Sequence, residues 1–160
     1  RVCGGDVRFE VIAEDDGRLL TATAGIAERL AAGQRSIALI HYPITDIESG
    51  TSVDALLQAY RRILAACSKS GSLCIIGGQQ PVNAFTEEQT ARQLDLERRA
   101  SAEFGSNYLP LHRYFESESN PRRLMRWFDS GDGRLIGDLG HELGYLVYRR
   151  RLLELTGAAR

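Results

Sequence analysis

Two short, near-continuous apolar runs, Ser36-Ile-Ala-Leu-Ile-His-Tyr42 and Ser72-Leu-Cys-Ile-Ile-Gly77, constrain this chain more than any other feature. Strands that are apolar without alternation are covered on both faces, the situation of a parallel sheet with helices on either side. The segments around them carry the complementary signal. Leu19 to Ala32 is helical in period and closes on Gly33, a residue suited to a left-handed C-cap. Pro43 ends the first run. Thr51 or Ser52 then caps a helix whose Val53, Leu56, Leu57, Tyr60, Ile63, Leu64 and Cys67 form one buried stripe. Beyond the second run, Gln79 to Phe85 reads as a loop, and Thr86-x-x-Gln89 is a capping box opening a helix that runs through Phe104 to Gly105.

The remaining segments continue the alternation. Val7 to Ala13 and Tyr108 to Leu111 read as short strands, and His141 to Leu155 as a terminal helix with Gly157 as its C-cap. Phe115 to Gly137 reads as irregular, with brief helix around Arg122 to Phe128. The order predicts one three-layer α/β/α domain over residues 1–160 with a mainly parallel sheet. In such sheets ligands bind beyond the carboxyl ends of the strands, here the loops Glu14 to Arg18, Tyr42 to Gly50, Gly77 to Phe85 and His112 to His141.

Composition narrows the function classes. Twenty Lys+Arg against 21 Asp+Glu give a formal charge of −1, without the positive excess that drives binding to nucleic acid. Lys69 is the only lysine, and the arginine groups Arg122, Arg123, Arg126 and Arg149 to Arg151 read as solvated faces or, alternatively, an anion- or partner-binding patch. Cys3, Cys67 and Cys74 show no C-x-x-C spacing, so neither a disulfide framework nor a zinc site is expected, and Cys67 and Cys74 are expected to pack as small apolar residues. The absence of a long apolar run or signal-type segment gives the expectation of a cytoplasmic protein without a membrane partner. No G-x-G-x-x-G or Walker A loop is present, so no cofactor is expected, and a flavin or nucleotide site would rest on fold analogy alone.

The loops contain an ordered series: Val11-Ile-Ala-Glu-Asp-Asp-Gly17-Arg18, Tyr42-Pro-Ile-Thr45-Asp46-Ile, Gln80-Pro, and Asp129-Ser-Gly-Asp132-Gly-Arg-Leu135-Ile-Gly-Asp138-Leu-Gly-His141. Over the whole chain this series resembles the SGNH (GDSL-type) hydrolase family. The resemblance implies a flavodoxin-like α/β fold and serine carboxyl-ester hydrolysis or acyl transfer, in which an imidazole activates the serine and fixed donors hold the oxyanion. It assigns Gly17 to the second-block glycine, Asp46 to the acid of the third block, and Asp132-Gly133 to the D-G pair near the C-terminus.

Three positions depart from the family pattern. Thr45 stands where the oxyanion-hole asparagine belongs, Leu135 where the base histidine belongs, and the GDS serine has no counterpart. Loss of an oxyanion donor typically costs about 10²–10³ in rate. Asp138-Leu-Gly-His141 offers two readings, the N-cap and packing residues of the last helix or a relocated acid and base. The resemblance therefore implies a hydrolase-like domain without standard esterase activity that binds a small acyl ester or a protein partner. Alternatively, it implies an active esterase or acyl transferase with its serine upstream of Arg1 and Asp138 and His141 as the pair. Leu135 is expected beside Asp132 and the Gly17 and Thr45 loops. In the strand order 2-1-3-4-5, Val7 to Ala13 matches the second strand. The first βα unit is then expected to be missing from this chain and supplied by another segment or a neighbouring chain.

Overall fold

The computed structural model describes residues 17–32, 36–41 and 44–157. The strand expected at Val7 to Ala13, its pairing, and the cap at Gly33 lie outside the described residues. Helix α1 (Leu19–Ala32) is followed by β1 (Ile37–His41), a short α2 (Ile44–Glu48), α3 (Val53–Ser70), β2 (Leu73–Gly77) and α4 (Glu87–Phe104). Then come β3 (Tyr108–Leu109), one turn of helix α5 (His112–Phe115), the strands β4 (Glu116–Ser117) and β5 (Asn120–Leu124), and α6 (Asp138–Thr156).

The three long-range strands form a parallel sheet in the order β1-β2-β3, with Leu39 opposite Ile75 and His41 opposite Gly77. This is an α/β protein. One face of the sheet carries Ile40, Cys74 and Ile76 into a core with α1, α3 and α4, where Leu19, Leu56, Leu57, Tyr60, Ile63 and Leu96 are buried. The other face carries Ile75 and Leu109 against Phe115, Leu124 and Val147. β1 is less covered than β2, since Ile37 and Leu39 on its second face are about half exposed among the described residues.

Local chemistry explains the long helices. Ser52 is the N-cap of α3 and accepts the Ala55 N–H, while Gly71 at φ 69° takes the left-handed C-cap and returns its N–H to Cys67 and Ser68. Thr86 and Gln89 close the capping box at α4 in both directions.

Four expectations are corrected. The last helix begins at Asp138 instead of His141, and its N-cap is Gly137, so Asp138 occupies the first turn. There its carboxylate complements the positive end of the helix dipole. Arg122 to Phe128 is strand β5 followed by one 3₁₀ turn, because β5 pairs antiparallel with β4. Residues 44–48 and 112–115 are short helices inside segments read as loops. Finally, Cys67 and Cys74 are joined in a disulfide, with α-carbons 6.2 Å apart. The tight turn at Gly71 folds the end of α3 back on the start of β2 and brings the two together. Among the described residues no helix is long and apolar enough to cross a membrane.

Candidate functional site

Gly17, Thr45 and Asp46 meet at the start of α1. Gly17 adopts φ +60°, a conformation that side chains rarely tolerate, and a β-carbon built on it would lie 3.4 Å from Thr45 Oγ1. Asp46, fully buried, accepts the Leu19 N–H at 2.6 Å and the Thr51 hydroxyl at 3.4 Å. The Asp46 carboxylate thus satisfies the first helical N–H of α1 and holds the two segments in register. Gly17, Thr45 and Asp46 are brought together as a unit.

The D-G loop is built differently from an acid–base pair. Asp132 Oδ1 accepts the Ser130 hydroxyl at 2.9 Å and the N–H groups of Arg134 and Leu135 at 2.8 and 2.9 Å. The Leu135 N–H is the largest of the causes that hold this carboxyl below its ordinary range. Asp129 closes the same loop from the other side by accepting the Gly131 and Gly133 N–H groups and the Asn83 amide. Its carboxyl is lowered first by the Gly131 bond. Leu135 sits directly on Asp132 through its backbone, with its side chain 55% exposed. The loop reaches helix α2 through Arg134, which pairs with Glu48 at 2.6 Å, and the segment after β2 through Gln80, which donates to the Arg134 carbonyl. No bond or ion pair joins Leu135 itself to Gly17 or Thr45 among the described residues.

His141 lies on the first turns of α6, exposed, with its N–H on the Gly137 carbonyl. Gly140 beside it is buried so tightly that a β-carbon would overlap Ile136, which pins the loop to the helix. His41 stands at the end of β1, and its Nδ1 lies 3.3 Å from the Tyr148 hydroxyl. His41 keeps an exposed surface, yet protein packs densely around the ring. Burial first, and His141 second, lower its pKa. His112 is buried, donating from Nε2 to the Pro121 carbonyl at 2.6 Å and facing Gln93 at Nδ1, the pattern of a satisfied structural histidine.

No family model, no curated protein and no solved structure matches this chain.

A second polar cluster lies beneath the Gly77-Gly78 pair. Glu97 on α4 accepts the Tyr108 hydroxyl at 2.9 Å, and burial, the largest influence, pushes its carboxyl up to about 7. Tyr108 is itself raised well above the ordinary phenol range, first by burial and then by Glu97. Sequence pattern did not single out Glu97, because a glutamate amid the charged residues of α4 looks like a solvated position until the fold turns it inward. Tyr148 was equally silent, one aromatic on a helix that is apolar on several sides. Among the described residues no group of three or more His, Cys, Asp or Glu side chains is placed to hold a metal ion.

Proposed function

We propose that the chain is an SGNH-hydrolase-like domain that has lost standard ester hydrolysis and keeps the old crevice as a binding site for a small acyl ester or a protein partner. The observation that carries this reading is the approach of Gly17 to Thr45 while Asp132 Oδ1 is taken up by its own loop. The receiving end of the site persists as a glycine loop and a hydroxyl donor. The activating end has a leucine at the base position, and an aspartate whose Oδ1 accepts one hydroxyl and two backbone N–H groups instead of an imidazole. The order β1-β2-β3 agrees with the last three strands of a flavodoxin-like sheet, which supports the resemblance.

A second reading makes the chain an active esterase or acyl transferase using Asp138 and His141. It takes its serine from upstream of Arg1, and it is favoured by the three-residue spacing that sets Asp138 and His141 one turn apart at the start of α6.

The full-length protein separates the two. Incubation with p-nitrophenyl acetate and with a fluorophosphonate probe should give neither turnover nor label. Butyrate, the product-like acid, should shift the backbone amide NMR signals of Gly17 and Thr45 in the wild type and leave them unmoved in Thr45→Val. Turnover that disappears in His141→Ala would replace the first reading with the second.

A further inference from the structure

A cleft of about 200 Å³ opens between α5 and the C-terminal half of α6, over the end of β3. Its apolar floor is Leu109 and Val147, and its walls carry Arg113, Arg150 and Arg151. Val147, Arg150, Arg151 and Glu154 follow the i, i+3, i+4, i+7 spacing of one helical face, so α6 presents them as a single stripe. Arg113 faces them from α5, with its guanidinium 5.4 Å from the centre of the Tyr114 ring and no ion-pair partner among the described residues.

The charges do not balance. Glu154 is the one carboxylate lining the cleft; it accepts Arg150 Nε at 3.0 Å and lies 3.6 Å from Arg151, too far for a hydrogen bond there. Arg151 is mostly buried, and its Nε is a buried donor without a hydrogen-bond partner among the described residues. A guanidinium cannot discard its charge, so Arg151 keeps a full positive charge at the cleft wall without a hydrogen-bonded carboxylate. Three guanidinium groups, with an excess of two positive charges over the one carboxylate, suit a tetrahedral dianion. The volume lies below the range of about 300–1,000 Å³ typical of larger ligands, which suits a small anion.

We propose that this cleft binds the dianion of a small phosphate monoester through Arg113, Arg150 and Arg151. The site shares no residue with the Gly17–Thr45 crevice and stands or falls independently of it. Isothermal titration of the full-length protein with O-phosphoserine at low ionic strength should show saturable binding, and serine should show none. Arg150→Gln, at a largely exposed side chain that leaves the fold intact, and Arg151→Gln should each weaken binding about tenfold or more. Glu154→Gln, by removing the competing acceptor, should tighten it, and Arg122→Gln on β5 should leave it unchanged. Absence of saturable binding overturns the proposal. So does equal weakening by Arg122→Gln and Arg150→Gln, which would mark a general attraction to an arginine-rich surface, or weakening by Glu154→Gln.

Discussion

Asp46 ties two helices together by accepting the N–H of Leu19 at 2.6 Å across 27 residues of chain. The first N–H of α1 is thereby satisfied inside the core, where water does not reach Asp46. Asp46→Ala leaves that donor buried and unpaired, and should lower stability by about 1–3 kcal/mol in urea unfolding. Asp46→Asn keeps an acceptor oxygen and should lose less.

Gly77 has no space for a side chain, because a β-carbon there would overlap the Tyr148 hydroxyl and crowd His41 Nδ1. Gly77→Ala should destabilise by about 1–3 kcal/mol. In a Tyr148→Ala background the same substitution should cost much less, a non-additivity that a double-mutant cycle reads directly.

Glu97 makes stability depend on pH in an unusual direction for a carboxyl. Its pKa, 4.5 in the unfolded chain, is pushed up to about 7 in the fold by burial. Between those values the folded state holds a proton that the unfolded state has released, so stability is complete below the lower value and falls as pH rises through the upper one. The loss should be no more than about 3 kcal/mol. Glu97→Gln should flatten this slope in unfolding curves collected from pH 5 to 8. It should also uncover the opposite dependence of His41, whose lowered pKa removes stability as pH falls below its ordinary value of 6.5.

Asn83 pins the irregular part of the fold. Its amide donates to Asp129 at 3.0 Å and to the Leu124 carbonyl, and its oxygen accepts the Leu124 N–H at 2.9 Å. Asn83→Ala should raise hydrogen exchange in residues 120–137 by more than an order of magnitude, corresponding to about 1.5 kcal/mol or more. The amides of β2 should keep their protection; uniform loss across the sheet would show that the segment is not an independent unit.

Periodic elements were legible from the sequence and the short ones were not, for a physical reason. The stripe Leu56, Leu57, Tyr60, Ile63 and Cys67 and the Thr86–Gln89 box encode α3 and α4 within their own residues. Helix α2 has five residues and rests on tertiary bonds such as Asp46 to Leu19, which no local pattern announces. The approach of Gly17 to Thr45 follows the order of the motifs. The engagement of Asp132 with its own loop does not, since an aspartate followed by glycine serves a turn or an active site equally well. Arg113 and Arg151 belong to different helices, and only the packing of α5 on α6 places them in one cleft.

Gly77 and Gly78 give the sheet a point where nothing but backbone separates its two sides. Tyr148 of α6 rests on one residue, and Glu97 and Tyr108 rest on the next. Elsewhere side chains with rotamer freedom can absorb a small displacement of either layer. Here there is no cushion, so a shift of α6 would bear directly on the Glu97–Tyr108 pair through the Gly77-Gly78 backbone.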